Sequence, residues 1–378
     1  MAYARLLSDR LGDRLQFAAV NPLGVYGRLD RKAAVAFLER TERRWVDNRP
    51  IGRWSLRATA VRDLLSLWPR IVPKARTGVR RYLVQASPNH LHDRKKVLVK
   101  LDREGARFLC LVFDLIPIEF PEYARPDGAA KHLARVKTMA ETADGLITIS
   151  AAVARSIEPY LAKSDNRPQV RPILLGVDVP RTAPELPAKI DVARPYFVVV
   201  STIEPRKNHL LLLQIWRSMV EKLGPEKVPH LVVVGRRGWE NENIVDMLER
   251  CVAIAQNVTE LSGLSDEALF PLMAGARALL FPSFAEGFGL PIAEALSLGT
   301  PVICSELPVL REAGADIPDY IDPLDGLGWT RAILDYAAED SAARARQLDR
   351  MNHWNPPSWD QHIDGVLALL SDIDRDVR

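Results

Sequence analysis

The sequence predicts an α/β protein made of two doubly wound, parallel-sheet domains that face each other across a cleft. Three observations carry this. From residue 107 onward, short apolar runs alternate with helical ones, as parallel strands and their crossovers require. A stretch with four prolines and no periodicity, DVPRTAPELPAKIDVARP at 178–195, divides the alternation into two series. At 378 residues the chain is long enough for two domains of ordinary size, each with its own core.

The elements follow in order. AYARLLSDRLGDRL (2–15) reads as a helix and QFAAV (16–20) as a strand. A doubly wound domain ordinarily opens with a strand and a glycine-rich turn, so a first strand is expected to be missing ahead of this point. RFLCLVF (107–113) reads as a buried strand, 127–143 as a helix, LITIS (146–150) as a strand whose Ser150 caps the next helix, and QVRPILLGV (169–177) as a strand. The second series is clearer: strands at 196–201, 230–235, 257–263, 277–283 and 300–305, with helices at 209–223, 244–255, 266–275 and 291–298 between them. PPSWDQHIDGVLALLSD (356–372) is a capped amphipathic helix expected to cross back onto the first domain. The predicted division is 1–180, 181–350 and a crossover segment 351–378.

Composition narrows the function. No run of about 18 apolar residues spans a membrane, and the start lacks a signal pattern. Three cysteines, Cys110, Cys251 and Cys304, lie far apart in apolar runs, which fits a reducing cytoplasm and neither a zinc site nor a disulfide framework. Net charge is only +3, but residues 1–180 hold 32 Lys and Arg against 19 Asp and Glu, and the remainder 19 against 29. Such asymmetry points one half toward an anionic partner.

The chemistry concentrates in FPSFAEGFGLPIAEALSLGTPVICSE, 281–306. A strand ends at the sheet edge, Gly287 and Gly289 let the backbone approach a ligand closely, and Pro291 suits a first helical turn. The free N–H groups of that helix start suit a phosphate. Glu286 in the loop and Glu294 in the helix would flank it, and carboxylates accept strong hydrogen bonds from sugar hydroxyls. Diphosphate in the middle with hydroxyl-rich groups on either side describes a nucleotide sugar. The plainer reading of both glutamates is a pair of solvated surface acids.

EGFGLPIAE resembles the E-x7-E element of the retaining glycosyltransferases of family four, which have the GT-B architecture of two Rossmann-like domains. STIEPRKNHLLLL (201–213), VVVGRRGW (232–239) and LSGLSDEALFPLMAGARALLFPS (261–283) resemble further pieces of that family in the right order. The resemblance implies that Arg206 and Lys207 bind the donor diphosphate, the arginine through bidentate contacts and the lysine as a point charge. It implies that Glu286 meets the hexose hydroxyls and Glu294 the ribose, with the base near Leu261. Gly287, Phe288, Gly289 and Leu290 would line the donor. Many members carry an arginine after the glycine of the donor loop; here Ser201 and Thr202 stand instead, so Arg206 supplies that charge. LVFDLIPIEFPEY (111–123) resembles a strand end that often reads His-Asp, here Phe113-Asp114. Asp114 would contact the transferred sugar or orient the acceptor, and His90 or His92 of SPNHLHD would supply the imidazole. No metal or cofactor is implied, and Asp374-Arg375-Asp376 reads as tail.

Residues 40–100 hold 16 basic and 4 acidic residues. Trp54, Ala58, Val61, Leu65 and Trp68 would share one helical stripe beside Arg53, Arg57, Arg62 and Arg70. That pattern fits either an anionic membrane surface or a helix packed on its own sheet. Nucleic acid is not expected as a partner. The sequence thus predicts a cytoplasmic hexosyltransferase at the inner face of the membrane, with a lipid-linked saccharide as acceptor. The competing reading is a non-catalytic nucleotide-sugar sensor or assembly subunit.

Overall fold

The computed structural model describes residues 2–21, 23–47, 59, 62–63, 66–70, 80–179 and 194–375. Most of the tryptophan stripe, Trp54, Ala58, Val61 and Leu65 with Arg53 and Arg57, lies outside the described residues; Trp68 is described and exposed.

Two parallel sheets organise the chain. The first is β3 (Tyr82–Gln85), β4 (Arg107–Val112), β5 (Gly145–Thr148) and β6 (Gln169–Pro172), side by side in that order. The second has six strands: β7 (Tyr196–Val200), β8 (His230–Val234), β9 (Val258–Leu261), β10 (Leu279–Phe281), β11 (Val302–Ser305) and β12 (Asp319–Ile321). Their spatial order is β12-β11-β10-β7-β8-β9. Winding therefore reverses at β7, and β7 lies beside β10.

The four inner strands β7, β8, β10 and β11 are largely apolar and buried on both faces, as strands covered by helices on both sides must be. Tyr196, Val198, Val232, Leu279, Phe281 and Val302 meet Phe270, Met273, Ile292 and Leu310 on one face. Phe197, Val199, Leu231, Leu280 and Ile303 meet Leu212, Trp216 and Trp329 on the other.

The first sheet is covered differently. Phe108, Cys110, Val112 and Leu146 pack on Val97, Val136 and Met139, and the same cluster takes in Phe288 and Ala313 from the second half. The opposite face, Leu109, Leu111 and Ile147, is closed by Val366, Leu369 and Ile373. These lie on helix Trp359–Arg375, which crosses back as the sequence predicts. Its seat is polar as well as apolar: Arg171 pairs with Asp372 at 2.6 Å, and Asp374 meets Arg107 at 3.4 Å and Arg80 at 3.2 Å. Asp374 is thus a structural anchor of this helix rather than loose tail.

A further difference from the sequence reading appears near the start. The strand predicted at 16–20 is β1 (Ala18–Val20), and it pairs antiparallel with β2 (Tyr26–Arg28) instead of joining a parallel sheet. The cause is local: Asn21 Oδ1 accepts from Val25 N at 2.8 Å and Gly24 takes φ +80°, which turns the chain straight back. Strands β3 and β12, and helices Pro308–Gly314, Gly326–Ala337 and Ala342–Met351, were not predicted.

Candidate functional site

Because β7 and β10 are neighbours, the loops leaving their C-terminal ends face each other, at the point where an open α/β sheet binds ligands. After β7 the chain makes a short turn, Pro205–Lys207, and Asn208 at φ +56° redirects it into helix His209–Leu223. After β10 it runs through Ser283 to Gly289, which at φ +99° opens helix Leu290–Ser297. Phe284 N donates to Arg206 O at 2.9 Å, stitching the loops together.

Arg206, Lys207 and Glu286 come together in this seam. Lys207 Nζ is 2.5 Å from Glu286 Oε1, and an Arg206 terminal nitrogen is 3.2 Å from Oε2. Arg206 also donates to the Ala285 carbonyl and, through Nε and its other terminal nitrogen, to Glu204 Oε1 at 3.1 and 2.7 Å. All of these side chains are largely buried: 17% exposed for Arg206, 12% for Lys207 and 9% for Glu286. Burial pushes the Glu286 carboxyl up, but Lys207 and Arg206 more than offset it and hold the group below its ordinary value. The cluster is two acids and two bases, a balanced network in which each charge is held by its neighbours. Glu204 is the member that sequence reasoning missed. An acid two residues before an arginine, in EPRKN, is the signal that could have found it.

Glu294 sits apart, on helix Leu290–Ser297. Burial, then the charge of Asp266, raises its carboxyl to about 7. It is therefore poised between charge states at neutral pH, unlike Glu286. Leu261 ends β9, and its carbonyl accepts Gly235 N at 2.9 Å. Beside it, Arg236, Arg237, Glu260 and Ser262 line an open hollow of about 480 Å³ at the ends of β8 and β9.

Gly287 carries a packing role that the sequence analysis did not name. A Cβ on Gly287 would lie 2.2 Å from the Phe113 carbonyl oxygen and 3.3 Å from Asp114 Cβ. Gly287 therefore makes room for the chain leaving β4. Phe288 is buried in the first half's core and Leu290 packs against it, so their side chains are structural. These contacts nevertheless set Asp114 directly against the Glu286 turn. Asp114 Oδ1 accepts from Ile116 N at 3.1 Å, and its carbonyl meets His132 Nε2 at 3.0 Å.

His132, buried on helix Gly128–Thr142, is an imidazole beside Asp114 that the sequence reading did not name. His90 is exposed at φ +62° in the loop after β3; burial and then Lys100, His92 and Lys96 lower its pKa, and none of these groups belongs to the glutamate seam. Across the cleft, Tyr123 stacks on Phe284 at 6.0 Å, Trp239 Nε1 donates to the Tyr123 carbonyl at 3.2 Å, and Arg125 lies 5.0 Å from the Trp239 ring.

Residues 186–316 match the family model described as glycosyl transferases group 1. The second half is a group 1 glycosyl transferase domain. Curated relatives extend the likeness. The serotype-specific mannosyltransferase WbdA of Escherichia coli is 30% identical over 295 residues, 73% of this chain and 35% of that protein. O-antigen chain mannosyltransferase B of the same organism is 36% identical over 168 residues, 44% of this chain and 42% of that one. The chain thus spans roughly a third to two fifths of these relatives' length. Among solved structures, Anabaena HepE in complex with UDP-glucose superposes with a TM-score of 0.55 at 17% identity, covering 87% of this chain and 84% of that one. That likeness shows the fold, the two-sheet GT-B arrangement of glycosyltransferases, with the group 1 domain as its second sheet.

Proposed function

We propose that the chain is a retaining hexosyltransferase, moving a hexose from a nucleoside-diphosphate sugar to a saccharide or lipid-linked saccharide during surface polysaccharide assembly. Mannose is the expected sugar, because the relatives above are named as mannosyltransferases. The observation that carries the reading is the seam between the β7 and β10 loops, where Arg206, Lys207 and Glu286 converge beside Asp114 of the first sheet.

In this reading Arg206 and Lys207 meet the charge that builds on the departing diphosphate, with the start of helix Leu290–Ser297 behind them. Their positions are fixed before substrate arrives, since Glu204 and Glu286 already orient them. Glu286, kept ionised, accepts hydrogen bonds from hexose hydroxyls, and Glu294 does the same for the ribose. Asp114 approaches the transferred sugar or the acceptor hydroxyl from the other half. Holding both substrates in one dry cleft supplies most of the rate enhancement. Departure and attack occur on the same face of the sugar.

The acceptor side includes peripheral contact with an anionic membrane through residues 40–100, at the inner face of the cell membrane. Among the described residues no helix is long and apolar enough to cross a membrane. On helix Arg94–Glu104, however, Leu98 and Val99 stand exposed among Arg94, Lys95 and Lys96.

The test is a thermal-shift titration with nucleoside diphosphates and their sugars, paired with a donor-consumption assay. One nucleotide should raise the melting temperature, by mass action. That shift should vanish in Arg206→Ala and Glu294→Ala. Binding without consumption in the presence of any saccharide acceptor would favour a sensor or assembly subunit. No shift with any nucleotide would overturn the proposal.

A further inference from the structure

The two halves are fastened at the start of one helix. Helix Ala151–Leu161 follows β5, and Ser150 caps it by accepting from Val153 N at 3.1 Å. The same buried hydroxyl donates to the Gly287 carbonyl at 3.0 Å. The next two backbone N–H groups, of Ala151 and Ala152, donate one to each oxygen of the Glu312 carboxylate, at 2.5 and 2.7 Å. Arg155, one turn along, lies 3.8 Å from that carboxylate.

Glu312 belongs to the other half, on helix Pro308–Gly314, and its neighbour Ala313 is buried in the first half's core. A carboxylate is favoured at a helix start by the unpaired N–H groups and the dipole. At three other helix starts those groups are met locally, by Asp93, Asp325 and Ser341. Here the acceptor comes from about 160 positions away, across the cleft.

The consequence concerns the seam. Gly287 is the residue after Glu286, and it is pressed on Phe113 and Asp114. Ser150 and Glu312 hold that contact shut from the adjacent strand end. Both fastenings are directional polar bonds, set beside the apolar contact that Phe288 and Ala313 make with the first half's core.

We propose that Glu312, acting with Ser150, is a positioning residue: its carboxylate latches the second half onto helix Ala151–Leu161 and so holds the Glu286 turn against Asp114. Its effect on turnover rests on the glycosyl-transfer reading, whereas the closure itself does not. The experiment is small-angle X-ray scattering on the full chain with nucleoside diphosphate bound, alongside nucleotide affinity and turnover. Variants are Glu312→Ala, the milder Glu312→Gln, which keeps one acceptor, and Arg155→Ala.

Glu312→Ala should enlarge the radius of gyration and lower kcat by about a hundredfold, the usual scale for misplacing a catalytic group by an ångström. Nucleotide affinity should stay within about twofold, because that site lies wholly in the second half. Glu312→Gln should fall between, and Arg155→Ala should track wild type. Unchanged scattering in Glu312→Ala and Glu312→Gln overturns the latch, whatever happens to turnover. An enlarged particle with unchanged kcat overturns the positioning role. Wild-type protein that binds nucleotide but transfers nothing overturns the functional reading instead, and the scattering comparison still decides the latch.

Discussion

The two sheets solve the burial problem in different ways. The second encloses both of its faces with helices drawn mostly from its own sequence, and its winding reverses at β7. The first completes both faces with borrowed parts: Phe288 and Ala313 on one side, helix Trp359–Arg375 on the other. A self-sufficient domain can hold a ligand site rigid, while a dependent one is positioned by whatever covers it. The proposed donor site lies in the former, and the latter brings Asp114 to it.

Four experiments would break or sharpen this contrast. The largest effect is expected inside the self-sufficient half. Arg206→Ala removes one base from a buried network and leaves Glu204 and Glu286 short of a partner, which should cost about 3 kcal/mol of stability. It should also weaken nucleoside-diphosphate binding by about a hundredfold, read by calorimetry and thermal shift. Next, Leu369→Ala opens a cavity under the first sheet and should cost about 2–4 kcal/mol in urea unfolding. The contrast requires that nucleotide affinity stay unchanged in folded Leu369→Ala protein; a parallel loss of affinity would show that the halves are not independent.

A third experiment uses Glu294. Ribose hydroxyls donate to the ionised carboxylate, so a group raised to about 7 should make nucleotide affinity climb about tenfold between pH 6 and 8. The stability sign is opposite. A carboxyl whose folded pKa lies above its unfolded value favours the folded state at low pH, and that advantage is lost as pH rises from about 4.5 to 7. Glu294→Gln should therefore melt above wild type at pH 8 and close to it at pH 4.5. A flat pH profile of affinity would remove Glu294 from the site. The smallest effect belongs to the exposed rim: Arg237→Ala, which breaks pairs with Glu249 and Glu260, should change stability by less than about 1 kcal/mol.

Much of this was legible before any coordinates. Runs such as YFVVVS and HLVVVG declare buried parallel strands, because nothing polar interrupts them. The same apolar clarity was missing at β3, a four-residue strand directly after Arg80-Arg81, and at β12, three residues that include an aspartate. The glycine turn and helix start between Glu286 and Glu294 were legible because they are local features, and the resemblance of EPRKN pointed to Arg206 and Lys207. His132 and Glu312 were invisible for the converse reason. Each acquires its role from a partner on another segment, and no spacing rule encodes that. Gly287 is instructive: a glycine read as room for a ligand also makes room for the Phe113 carbonyl at the end of β4.

The crossing helix has a consequence for how the chain is made. Arg107 on β4 waits for the Ile373 carbonyl, 266 positions later. At ribosomal speeds that interval is roughly 10–50 s. Until it ends, Leu109, Leu111 and Ile147 form an uncovered apolar face on the nascent protein, while the second half is made and can fold. The dependent domain is thus the one that emerges first and finishes last, and its sheet is where a chaperone would find its longest-lived client surface.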